Sequence, residues 1–185
     1  LMKVTVDHPS PADELEIVRR MGVEPPTPDE RLSLDDLIRL QTAARVAVYV
    51  DHGVQQYAVD LVSATRDPAR YGLADLVPYV ACGASSRATL GLIAAGRALA
   101  MLRRRSYVLP QDVWDVAPDV LPHRLVVSYE ALAHGIEAHD LVAKLLATVP
   151  APRLTPTQDA TARPVPPAPA PTGDADGGPH LAWSA

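Results

Sequence analysis

Ser86-Arg87-Ala88-Thr89-Leu90-Gly91-Leu92-Ile93-Ala94-Ala95-Gly96-Arg97-Ala98-Leu99-Ala100-Met101-Leu102-Arg103 reads as one long helix whose apolar residues are not confined to a single stripe. Leu90, Leu92, Ile93, Leu99 and Met101 point to several faces, and Gly91, Ala94, Ala95, Gly96 and Ala98 fill the spaces between them. A helix of this kind is surrounded by other helices that approach closely at its small residues. The reading makes the fold mainly α, with this helix at its centre.

Outward from it, the punctuation predicts further short helices. Downstream, Tyr107-Val108-Leu109 is a brief extended piece, Pro110 to Val120 a short helix, Arg124 to Tyr129 a short strand, and Ala138 to Thr148 a last helix. Upstream, Asp67 to Tyr79 is interrupted by Pro68, Gly72 and Pro78 and reads as a long irregular loop. Before it, a helix starts at Asp51 with Val54, Tyr57, Ala58, Leu61 and Val62 inward. Ser33 caps another with Leu34, Leu37, Ile38, Gln41 and Ala44 at helical spacing, and Ser10 with Pro11 opens one that ends near Gly22. The three prolines between Glu24 and Asp29 mark a connector. These elements predict a bundle of about six helices.

The two ends of the chain differ from its middle. Leu1 to Val6 alternates, with Met2, Val4 and Val6 on one side, the period of a half-buried strand, yet no strong second strand follows to pair with it. With Leu rather than Met at position 1, the expectation is a piece cut from a longer chain, this strand being the last of a missing sheet. At the other end, 8 of the 19 prolines fall in the last 35 residues, Ala151 to Ala185, a composition that cannot offset its ordering entropy. The predicted organisation is therefore 1–9 orphan strand and connector, 10–149 helical domain, and 150–185 disordered tail.

Composition narrows the function classes. The 185 residues carry 17 basic and 22 acidic side chains, a formal charge of -5, which argues against a nucleic-acid partner held by overall electrostatics. A single cysteine, Cys82, excludes an internal disulfide and fits a reducing, cytoplasmic compartment. We read Cys82 as a small buried residue. No apolar run reaches the ~18 residues of a membrane span. Only Lys3 and Lys144 are lysines and neither follows Gly, so the Gly-Lys-Ser/Thr phosphate loop is absent from this chain. His134 and His139 lie one residue off the spacing that would put two ligands on one helical face, and no metal site is expected.

The arginines carry the chemistry. Arg103, Arg104 and Arg105 sit at the C-terminal end of the central helix, where positive charge suits the helix dipole. Arg87 sits at the opposite pole: with Ser85 as the cap, it occupies the second helical position, an unfavourable placement costing ~0.3–1 kcal/mol. Free backbone donors, the hydroxyls of Ser85 and Ser86 and a guanidinium together suit a phosphate group. The bland alternative is that Arg87 pairs with a neighbouring carboxylate.

The string Gly83-Ala84-Ser85-Ser86-Arg87-Ala88 resembles the Gly-Ala-Ser-Pro-Arg-Ala motif in the C-terminal helical lid of the MoxR family of AAA+ ATPases. Leu1-Met2-Lys3-Val4-Thr5-Val6-Asp7-His8-Pro9-Ser10-Pro11 is similar to that family's last core strand and its passage into the lid. Ala64-Thr65-Arg66, Tyr107-Val108-Leu109-Pro110-Gln111-Asp112-Val113 and Pro118-Asp119-Val120-Leu121-Pro122-His123-Arg124-Leu125 match in the same order. The resemblance implies an AAA+ lid-type helical bundle preceded by one orphan strand of a missing αβα core. It implies that Arg87 is the sensor 2 arginine, reaching the γ-phosphate of ATP bound with Mg²⁺ mainly by that core, with Ser85 and Ser86 beside it. Ser86 departs from the family's Pro, which makes the helix start less rigid without altering the role of Arg87. The family's Walker A and B motifs, sensor 1 and arginine finger precede the point at which this chain begins. Further implications are assembly into a ring, expected to be a hexamer, and chaperone-like remodelling of partners such as proteins with a von Willebrand factor A domain. The alternative is a free-standing helical protein-interaction module with no nucleotide role, for which the orphan strand would have no use.

Overall fold

The computed structural model describes residues 1–22 and 31–152, with Pro25, Thr27 and Asp29 between them. Half of the expected connector Glu24–Asp29 falls outside the described residues, as does the expected tail beyond position 152. Seven α-helices lie along the described chain. They are α1 (Pro11–Met21), α2 (Leu34–Val46), α3 (His52–Arg66), α4 (Ser86–Leu102), α5 (Pro110–Val120), α6 (Tyr129–Ala133) and α7 (Ala138–Thr148). Two short strands, β1 (Val80–Cys82) and β2 (Val126–Val127), pair antiparallel, with Val80 opposite Val127 and Cys82 opposite Val126.

Helix starts follow from local chemistry. Ser10 accepts from the Asp13 backbone N–H, Ser33 from that of Asp36 and Asp51 from that of Gly53, each satisfying a donor that the first helical turn leaves free. The segment Asp67 to Tyr79, expected as irregular, instead forms two 3₁₀ turns, Pro68–Tyr71 and Ala74–Tyr79. Asp67 caps the first, Pro68 has the φ its start requires, and Gly72 ends it at φ 77° in the left-handed region.

The core lies between α3, α4, α5 and α7. Val54, Tyr57, Ala58, Leu61 and Val62 of α3 are buried as their spacing predicts, together with Leu92 of α4, Val113, Val116 and Val120 of α5, and Leu141, Val142 and Leu145 of α7. α4 meets α5 and the extended residues before it closely at two glycines. A Cβ at Gly91 would lie 3.2 Å from Val120 Cγ1, and one at Gly96 would lie 3.3 Å from Val108 Cγ1. The β1–β2 pair closes one end, where the Ser128 N–H donates to Tyr79 O and the Ser128 hydroxyl to Pro78 O.

The bundle is less enclosed than periodicity alone suggests. Leu37 and Ile38 of α2 are exposed and only Ala44 of that helix is buried, while α1 buries no residue. On α4, Leu90 is 69% exposed, so one face of the central helix is open. Cys82 is exposed too, which corrects the expectation of a buried thiol. Leu1 to Ser10 forms no helix and pairs with no strand; its Lys3 N–H donates to Asp119 O across 2.9 Å.

Candidate functional site

The site sits where the chain turns from β1 into α4. Gly83 and Ala84 cross the end of α3, where two hydrogen bonds hold them and a third orients the Thr65 hydroxyl. The Ala84 N–H donates to Thr65 Oγ1 at 2.9 Å, the Thr65 hydroxyl donates on to Val62 O at 2.6 Å, and Arg66 Nε donates to Ala84 O at 2.6 Å. Thr65 and Ala84 are both buried, so the shared hydroxyl satisfies a donor that water cannot reach. Gly83 passes so close to α3 that a Cβ there would lie 2.5 Å from Thr65 O and 2.7 Å from Arg66 Cα. Only glycine fits. Among the strings quoted for the resemblance, Ala64-Thr65-Arg66 and Gly83-Ala84-Ser85 are thus two halves of one joint.

Beyond this joint, Ser85 is the cap residue of α4, in extended conformation, but its side chain accepts no capping bond. The first turn of α4 contains no acidic residue, unlike those of α1 and α2. Ser85, Ser86 and Arg87 are all exposed. No carboxylate among the described residues forms an ion pair with Arg87. The structure therefore brings the three predicted residues together at one helix start, on a backbone fixed from below by Thr65 and Arg66. Such an arrangement offers positive potential and hydroxyl donors to an anion. It offers nothing for a divalent cation: among the described residues, no group of three His, Cys, Asp or Glu side chains converges to hold a metal.

At the opposite end of α4 the structure corrects the dipole reading. Arg104 turns the chain at φ 58°, and Arg103 and Arg105 on either side of it converge on Asp112 at the start of α5. Arg103 Nη1 lies 2.9 Å from Asp112 Oδ1, Arg105 Nη2 2.5 Å from the same oxygen and Arg105 Nη1 2.8 Å from Oδ2, which also accepts from the Leu109 N–H. A second branch links Arg103 Nη2 to Asp115 at 2.6 Å. Asp112 is fully buried. Burial pushes its carboxyl up, but the bonds from Arg105, the Leu109 N–H and Arg103 outweigh that and hold it below the ordinary carboxylate range. This cluster is a structural rivet between α4 and α5, and sequence reading missed it because Asp112 lies seven to nine residues from its partners across a reversal of the chain.

Known proteins share this architecture. Residues 76–145 match the AAA lid domain family. The chain is 49% identical to the chaperone MoxR1 of Mycobacterium tuberculosis over 83% of its own length and 41% of that protein, and 31% identical to the uncharacterised YeaC protein of Bacillus subtilis over 82% and 45%. A crystal structure of a candidate ATPase from Cytophaga hutchinsonii superposes with a TM-score of 0.75 at 32% identity, covering 82% of this chain and 46% of that one. The chain spans less than half the length of each of these relatives. With the lid match running from the second 3₁₀ turn into α7, the chain belongs to the MoxR family of AAA+ ATPases, of which it carries the C-terminal, lid-bearing segment.

Proposed function

We propose that this chain is the lid of a ring-forming ATPase with chaperone-like activity, and that Arg87 is its sensor 2 residue. The observation that carries the reading is an exposed arginine, with no ion-pair partner among the described residues, at the second position of α4, where no first-turn acid balances it and where the backbone is fixed by Thr65 and Arg66. A cation held at the positive pole of a helix is unfavourable alone and becomes favourable when a phosphate joins it. ATP with Mg²⁺ would be bound mainly by a core domain, which supplies the phosphoryl-transfer chemistry. This chain would contribute the Arg87 guanidinium toward the γ-phosphate, with the Ser85 and Ser86 hydroxyls beside it. Because α4 is riveted to α5 through Asp112, a pull on Arg87 would be carried through the helix to the rest of the bundle. Ring assembly as a hexamer and remodelling of partners with a von Willebrand factor A domain are part of the same reading. So is the division of the chain into a terminal core strand at 1–9, a lid at 10–149 and a tail at 150–185.

The test is Arg87→Ala in a chain that includes the nucleotide-binding core. Loss of one charge-assisted contact worth ~1.5–3 kcal/mol lowers turnover or nucleotide affinity roughly 10- to 150-fold. Unchanged ATPase activity in a folded Arg87→Ala protein would overturn the sensor 2 assignment of Arg87.

A further inference from the structure

Arg124 has no role in the site described above, yet among the described residues its hydrogen bond spans the longest stretch of chain. Its Nη2 donates to Leu1 O at 3.1 Å. Two residues on, the Lys3 N–H donates to Asp119 O at 2.9 Å, so two backbone groups of the N-terminal segment, on either side of Met2, are tied to the end of α5 and the turn after it. The third side of this contact is α4. A Cβ at Gly91 would lie 3.2 Å from Val120 Cγ1, 3.8 Å from Leu1 Cδ2 and 3.9 Å from Arg124 Nη2. Gly91 is four residues from Arg87, one turn along the same face of the helix. Apart from these contacts little holds the segment, since Leu1 is 71% and Val4 72% exposed.

We propose that Arg124 is a positioning residue. With the backbone of Asp119 it clamps Leu1–Lys3 against the Gly91 notch of α4, and so sets the angle between α4, which carries Arg87, and any structure that precedes the lid. Arg124 Nε is enclosed and has no hydrogen-bond partner among the described residues, so the contact from Nη2 to Leu1 O is the hydrogen bond that orients the guanidinium. Gly91 suits the clamp because a Cβ there would already crowd Val120 at 3.2 Å and touch Leu1 and the guanidinium, so a longer side chain would compete for the same space. The consequence for Arg87 rests on the lid reading given above, whereas the clamp itself does not.

The test uses the 185-residue chain with two readouts that need no nucleotide. Arg124→Ala should speed amide exchange at Lys3 about 10-fold or more, while exchange in α4 and α5, at Leu92 and Val113, stays as in the parent chain. Arg124→Lys, which can still donate to one carbonyl, should recover part of the protection. Spin labels on Thr5→Cys and Leu90→Cys, with Cys82→Ser, should give a narrow distance distribution that broadens when Arg124→Ala is added. Lys3 exchange that does not respond to Arg124→Ala, or a label distribution of unchanged width, overturns the clamp. These results stand whether or not Arg87 senses nucleotide, so failure of the clamp and failure of the sensor reading are distinguishable.

Discussion

Asp112→Asn tests how α4 is held at a fixed angle to α5. The substitution keeps shape and leaves a carbonyl oxygen able to accept from Leu109 N–H, but removes the charge on which Arg103 and Arg105 converge. Breaking one side of a fully buried ion pair costs about 3–5 kcal/mol. Here Asp112 is inaccessible, but the Arg105 and Arg103 side chains are 20% and 42% exposed, so water takes up part of their orphaned charge. The expected loss is therefore lower, about 2–3 kcal/mol. For a folded unit of this size that is a fall in Tm of roughly 4–12 °C. The pH dependence has a definite sign. The folded carboxyl titrates below its ordinary value, so its contribution is fully present above the unfolded pKa of about 4 and is lost as pH falls through the lower, folded value. Thermal unfolding of both chains at pH 7 and at successive steps below pH 4 reads the effect: the gap between them should be largest at neutral pH and close on acidification. Equal stability at pH 7, or a gap that persists undiminished at low pH, would refute the claim that the charged pair joins the two helices.

Thr65→Val should cost about 1–3 kcal/mol by leaving the buried Ala84 N–H without an acceptor, and Thr65→Ser, which keeps the hydroxyl, should cost less; a valine variant more stable than the serine variant would contradict the joint. Arg87→Ala should leave Tm in the absence of nucleotide level or slightly raised, since it removes a charge from the wrong pole of α4 and introduces a better helix former; denaturation of the chain alone measures this. The purified 185-residue chain should show no steady ATP turnover, because one guanidinium and two hydroxyls do not make the phosphate cradle, metal and positioned water that the reaction needs; turnover that survives removal of contaminating ATPases would defeat the lid reading.

What could be read from the residues divides along the distance over which each signal acts. Ser10, Ser33 and Asp51 declare helix starts because a cap needs only its own next three residues, and the Val54-Tyr57-Ala58-Leu61-Val62 face of α3 declares itself because the period is local. The same period misleads at Leu37, Ile38 and Leu90, which are exposed: it identifies an apolar face but not whether another helix covers it. Helix α6, five residues long, is too short for a period to register. In the segment Asp67 to Tyr79, proline and glycine signal breaks, whereas in the folded chain Pro68 and Gly72 delimit a 3₁₀ turn that uses both.

At the candidate site the division is sharper. Arg87 stands out in the sequence because its misplacement involves only its own helix. Its support does not, since Thr65 and Ala84 are 19 residues apart and meet only when β1 folds back over the end of α3. The arginines at the far end of α4 show the converse error. A favourable local explanation was at hand, the helix dipole worth at most ~1 kcal/mol at a surface, and it concealed a larger one, the buried carboxylate of Asp112. A charge that its own helix disfavours points to something beyond the helix, while a charge that its helix favours says nothing about what else it holds. Arg124 falls outside both cases. It ends a single 3₁₀ turn, Pro122–Arg124, too short for a helix dipole to single it out, and its partner is 123 residues away at Leu1.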